Sequence, residues 1–237
     1  MVEHESARRP DIGPRFTDSD PLSLHWIGEQ GGAQFAQVQK VLARLTPSPE
    51  RLAAPGILSV QRTRKKIARW RQGGLVEFKT FLANEKGWVW LSKRGLEYSG
   101  LGDIRYYEPK LEALRHLYYV NQARLYVEQQ RPGDSWKSER LIRYEQPAVP
   151  TGRKAPHIPD GLLLKSTGEI IAAIEIELSV KKRERILEVL RELSTSYQRT
   201  WYFVAQPVWA ALEAALTQLP ERQRKSIQLL SVEEKLK

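Results

Sequence analysis

Apolar residues at positions 35, 38, 41, 42 and 45 fall on one face of a 3.6-residue repeat and predict a helix over 35–45. A shorter apolar stretch over 24–29 predicts a helix before it, the two broken by Gly31-Gly32. Thr46-Pro47-Ser48-Pro49 cannot continue the helix, so a loop follows. A third helix is predicted from Ser59 through Arg71. Ile67 and Trp70 are spaced to pack inward, and Gly73-Gly74 supplies the exit. The period then shortens: 75–79 and 87–91 read as two strands joined around the polar Asn84-Glu85-Lys86-Gly87 turn.

Gly100-Leu101-Gly102 and Tyr106-Tyr107-Glu108-Pro109 mark a boundary. Beyond it a helix is predicted from 110 to about 130, ending before Arg131-Pro132-Gly133-Asp134. Strands are expected over 138–144, 161–164 and 170–178. An amphipathic helix over 182–197 turns Ile186, Val189, Leu190 and Leu193 inward. A buried strand over 200–205, a helix over 207–219 and a last strand over 227–231 complete the order α-β-β-β-α-β-α-β. The pattern therefore gives an α/β (α+β) chain with a polar, disordered leader over 1–20 and two domains, 21–100 and 101–237.

Three helices followed by a short hairpin are the elements of a winged helix-turn-helix. In that arrangement the third helix lies in the major groove, and it carries Arg62, Arg64, Lys65, Lys66, Arg69 and Arg71. The alternative is a solvated basic face. Charge favours contact: 38 Lys and Arg against 28 Asp and Glu give +10, which suits a polyanion through release of phosphate counterions. Double-stranded DNA is the expected partner, RNA the alternative. The chain has no cysteine, which excludes disulfides, thiol catalysis and cysteine-held zinc. No apolar run is long enough to span a bilayer and the first twenty residues lack a secretory core, so a cytoplasmic protein without membrane contact is expected.

The chemistry concentrates between His157 and Lys181. Ionised acids gain nothing from an apolar strand unless a cation meets them, yet Glu175 and Glu177 stand at the end of Ile-Ala-Ala-Ile-Glu-Ile-Glu. Alternate strand residues share a face about 6–7 Å apart, and Asp160 from the neighbouring strand would complete an oxygen cage for Mg²⁺, or for Mn²⁺. Lys181 would orient an attacking water and offset phosphate charge. Two plainer readings stay open: the glutamates form salt bridges with the basic helix, and Asp160 only makes the Pro-Asp-Gly turn.

Pro159-Asp160, Glu175-Ile176-Glu177 and Lys181 resemble the PD-(D/E)xK nuclease signature, and the element order resembles its restriction-endonuclease-like core. The family pattern sets a lysine two residues after the strand acid, where this chain has Glu177; Lys181, or Lys182, stands in its place. Retained fold with weak or lost cleavage is one consequence. The chain as a whole resembles the replication-relaxation family of bacterial mobile-element proteins. The resemblance runs through Arg69-Trp70-Arg71-Gln72-Gly73-Gly74-Leu75-Val76, Trp88-Val89-Trp90-Leu91-Ser92-Lys93-Arg94-Gly95-Leu96, the 116–125 segment, Trp136-Lys137-Ser138-Glu139-Arg140 and the two acidic motifs. It implies a role in plasmid or integrative-element replication, relaxation or mobilisation and defines no reaction, whereas the nuclease signature makes Asp160, Glu175, Glu177 and Lys181 the catalytic candidates. It also implies that His116, Asn121 and Arg124 brace the site; an interior histidine with a surface arginine is the alternative. Glu139 is a candidate fourth acid, or an ion-pair partner of Arg140 or Arg143, and His157 a candidate proton shuttle. The competing readings are a non-catalytic DNA-binding replication accessory or transcriptional regulator, and a platform for a relaxase or transposase; a homodimer fits any of them.

Overall fold

The computed structural model describes residues 15–45, 52–147, 152 and 155–236. Of the leader expected over 1–20, residues 1–14 lie outside this range. The rest is structured: Phe16 packs on the first core and α1 spans Ser19–Gln30, starting five residues earlier than its apolar pattern suggests. Gly31, at φ 85°, ends the helix in the left-handed region. A two-residue strand, β1 (Ala33–Gln34), then leads into α2 (Phe35–Arg44), whose start is closed by reciprocal Gln34 and Gln37 side-chain bonds. A small hairpin of β2 (Leu52–Ala54) and β3 (Ile57–Leu58) precedes α3 (Val60–Gln72), capped by the Ser59 hydroxyl. β4 (Val76–Lys79) and β5 (Trp88–Leu91) pair antiparallel, and β1 adds to β5, giving the order β1-β5-β4. A short helix, α4 (Lys93–Tyr98), follows on the Ser92 cap.

Trp70, Leu24, Ile27, Leu42 and Leu75 are the centre of this half. Burying each such side chain contributes about 1.5–3 kcal/mol. The closest backbone approach is at Gly95, where a Cβ would stand 1.9 Å from the Leu75 carbonyl oxygen. That oxygen accepts the Ser92 N–H at 3.0 Å and ties α4 to β4. Gly95→Ala is therefore expected to cost at least about 2 kcal/mol, read as a lower melting temperature, because backbone rather than a flexible side chain must yield.

The second half begins with a 3-10 turn (Leu111–Ala113) and α5 (Leu114–Gln130). Next come β6 (Ser135–Ser138) and α6 (Glu139–Glu145). The strand expected over 138–144 is thus a helix: Ser138 ends the strand and its hydroxyl accepts the Leu141 N–H, capping the turn that follows. β7 (Gly161–Leu164), β8 (Ile170–Glu177), α7 (Arg183–Ser196), β9 (Thr200–Val204), α8 (Gln206–Leu216) and β10 (Ile227–Ser231) match their sequence patterns. Two short helices, α9 (Glu221–Lys225) and α10 (Val232–Lys235), were not legible.

The five strands lie in the order β10-β9-β8-β7-β6, with β6, β7 and β8 antiparallel and β8, β9 and β10 parallel. Along β8 the faces alternate. Ala172, Ile174 and Ile176 join Val120, Ala123 and Val127 of α5 in one core. Ala173 packs with α7 and α8 in another, so Glu175 and Glu177 point to the α7 side. The chain is mixed α/β, and no helix among the described residues is long and apolar enough to cross a membrane.

Polar contacts fasten the two halves together. Glu29 of α1 is buried, pairs with Arg124 at 2.8 Å and accepts the Ser138 N–H at 3.0 Å. Gln30 donates to Asn121 at 3.0 Å and accepts from the Trp136 indole at 3.2 Å. Asn121 in turn donates to Gly32 and Gln37. Unpaired, each of these buried groups would cost about 1–3 kcal/mol.

Candidate active site

The register that pairs Gly161 with Ile174 sets Asp160 opposite Glu175, one step further along both strands. Asp160 Oδ2 accepts the Ile176 N–H at 2.8 Å, which fixes the carboxylate at the mouth of the sheet. Its Oδ1 meets Nε2 of His116, from the first turn of α5, at 2.8 Å. Glu175 is buried, and its Oε1 meets Nε2 of His157 at 2.6 Å. The His157 N–H donates to Glu192 of α7 at 2.7 Å, so α7 holds the loop that carries the histidine. Glu177 is equally buried, and its Oε2 holds the Lys181 ammonium at 2.6 Å.

A cavity of about 400 Å³ opens over these groups; Asp160, Glu175, His116, His157, Lys181 and Arg185 are among its walls. Glu177 is not among the described residues lining it. The three-acid cage read from the sequence is therefore reduced: Asp160 and Glu175 share the cleft, while Glu177 is drawn to Lys181, itself a residue of the cleft wall. Among the described residues no three of His, Asp and Glu gather closely enough for a closed protein cage. Mg²⁺ needs no such cage, since it keeps several waters and takes one or two carboxylates.

The electrostatics mark Glu175 as the strained group. Burial, reinforced by the Asp160 carboxylate, pushes its pKa well above the usual range against the pull of Lys181 and His116. Burial also lowers the His157 pKa, opposed by Asp160 and aided by Arg185. Both shifts favour an uncharged pair in which one proton lies between Oε1 and Nε2. His116 behaves oppositely: burial disfavours its charge, but Asp160 overrides that and raises the pKa to about 8. A buried carboxyl held protonated beside a carboxylate is what a divalent cation would relieve, and an all-oxygen pair suits Mg²⁺ or Mn²⁺. The residues fit the metal.

Of the other residues singled out in the sequence, Arg124 is a buried bracket between the halves, over the Trp26 ring at 4.7 Å, and not a surface arginine. Asn121 belongs to the same bracket, leaving His116 the one that touches the site. Glu139 bonds Arg143 across one helical turn, and both line the cleft. Arg185 and Glu192 were missed; they lie on the turns of α7 that follow Lys181, a spacing visible only once the helix start is known. On α3, Arg62, Arg64, Lys65 and Arg71 are exposed. Lys66 and Arg69 are instead turned to the buried carboxylate of Asp20, at 2.6 and 3.0 Å, because that acid needs counter-charge.

Compared with protein-family models, with curated proteins and with solved structures, the chain matches none.

Proposed function

We propose that the chain is a DNA-binding protein of a mobile element that hydrolyses or nicks a phosphodiester with Mg²⁺ or Mn²⁺, built as a winged helix followed by a restriction-endonuclease-like core. The observation that carries this reading is the pair Asp160 and Glu175, set opposite each other at the strand ends and both lining a cleft whose wall also holds Arg143, Lys181 and Arg185. The order of elements, the antiparallel-to-parallel switch at β8 and the resemblance to the replication-relaxation family support it.

Asp160 and Glu175 would hold the metal, which when bound supplies polarisation of the scissile phosphate and a lowered pKa for water. His157 takes up the proton that Glu175 gives away. Lys181, held by Glu177, lines the cleft with Arg143 and Arg185, and these cations would meet incoming phosphate oxygens. Glu177 thus acts by positioning. Glu177→Gln is expected to leave divalent-metal affinity near wild type while lowering nicking about 10–100-fold and displacing its pH profile; lost metal affinity would return Glu177 to the ligand set.

The test is nicking of supercoiled plasmid with and without Mg²⁺, beside Asp160→Ala and a charge reversal of Arg64 and Lys65. Metal-dependent nicking, absent in the first variant and weakened in the second with a shallower salt dependence, is the expected result. DNA binding without nicking at any metal concentration would favour the non-catalytic replication accessory, a reading supported by the glutamate standing at the signature lysine position.

A further inference from the structure

A second cavity, of about 330 Å³, adjoins the acidic cleft and shares His116, Glu139, Arg143 and Asp160 with it. Its walls come from both halves of the chain: Glu29 and Gln30 of α1, Tyr107, and Leu117 and Val120 of α5. The polar groups deep in it are already satisfied. Glu29 is bonded to Arg124 and the Ser138 N–H, Gln30 to Asn121 and Trp136, and Arg140 to the Gly28 and Arg105 carbonyls. What remains open is mostly apolar surface; the Tyr107 ring, which the Arg140 guanidinium flanks at 5.8 Å, is part of the wall.

Such a chamber has no demand for a charged ligand and is of the size that takes small organic groups, about 300 Å³ and upward. The cleft next to it carries Arg143, Lys181 and Arg185 in its wall, groups that suit phosphate. A flat, uncharged ring joined to a phosphate satisfies both at once. We propose that the second cavity receives a nucleobase turned out of the helical stack, so that the preferred substrate is a strand with an unpaired nucleotide beside the scissile phosphate. The inference rests on the nucleic-acid reading of the first cleft and narrows its substrate class. A fully paired duplex cannot seat a base in a recess without breaking a pair, whereas a bulge or single strand has already done so. Ring stacking tolerates any base, so the preference is for structure more than sequence.

The experiment measures fluorescence anisotropy of the full chain, in EDTA, with four labelled oligonucleotides: a paired duplex, the same duplex with one bulged nucleotide, that duplex with an abasic residue at the bulge, and the single strand. Expected are at least tenfold tighter binding of the bulged and single-stranded forms than of the paired duplex, and loss of that advantage in the abasic form. Leu117→Trp, which fills the chamber, should remove the advantage and keep the affinity for paired duplex; Val120→Phe repeats the test should the first variant fold poorly. Equal affinity for paired, bulged and abasic duplex, or a preference that survives both filled variants, would overturn the chamber while leaving DNA binding intact. Failure to bind any of the four would overturn the nucleic-acid reading as well.

Discussion

Glu175→Gln is expected to yield a protein that is more stable and inactive. The wild-type carboxyl is buried beside Asp160 with its pKa raised by that burial, so the folded chain holds a proton that the unfolded chain releases. Linkage fixes the sign: with more protons bound folded than unfolded, stability falls as pH rises from the unfolded value near 4.5 toward the folded one. An amide keeps the hydrogen bond to His157 and carries no such dependence. The melting temperature of the variant should therefore exceed wild type by an amount that grows between pH 4 and pH 7.5, corresponding to about 0.5–2 kcal/mol at the upper end. The same change should lower Mg²⁺-dependent nicking by about 10²–10³, the scale for removing one electrostatic element of a catalytic site. A variant that lost stability would place Glu175 among structural residues.

Asp20→Ala is expected to have the largest effect on folding. Asp20 is fully buried and accepts the Trp70 indole N–H at 2.9 Å, Lys66 at 2.6 Å, Arg69 at 3.0 Å and the Thr17 N–H at 2.6 Å. Burial alone would raise its pKa; Lys66, Thr17 and Trp70 together pull it below the ordinary value. Removing the acid strands two cations against the core. Breaking a buried pair costs about 3–5 kcal/mol, and the lower end applies because Lys66 and Arg69 keep 18% and 29% of their side chains in solvent. A folded pKa below the unfolded one gives stability that is present above pH 3.8 and lost as pH falls through the folded value. Chemical denaturation at pH 7 should show the gap between variant and wild type, and at pH 3 the gap should narrow.

The long periodic elements were legible because each carries its own pattern: α2, α3, α5, α7, β8, β9 and β10 all follow from apolar spacing. The failures have local causes. The 138–144 stretch alternates weakly, and the Ser138 cap and the Glu139–Arg143 pair one turn apart support helix over strand. β1 is two residues long and exists through its pairing with β5, where Ala33 meets Val89 and Gln34 meets Trp88, far along the chain. At the site, the approach of Asp160 to Glu175 could be read from strand parity. The fate of Glu177 could not: whether it meets the cleft or Lys181 depends on where β8 ends and α7 begins. The commitment of Lys66 and Arg69 to Asp20 was hidden for a related reason, since Asp20 sits in a segment with no apolar signal of its own.

The proposed function requires Asp160 and Glu175 together to hold one divalent cation. Electron paramagnetic resonance of free Mn²⁺, titrated with the full chain, measures this without requiring turnover. Uptake of one Mn²⁺ per chain by wild type and by Glu177→Gln, with uptake lost in Asp160→Ala and in Glu175→Gln, is the result expected. Equal uptake by all four proteins, or none by wild type, would contradict it.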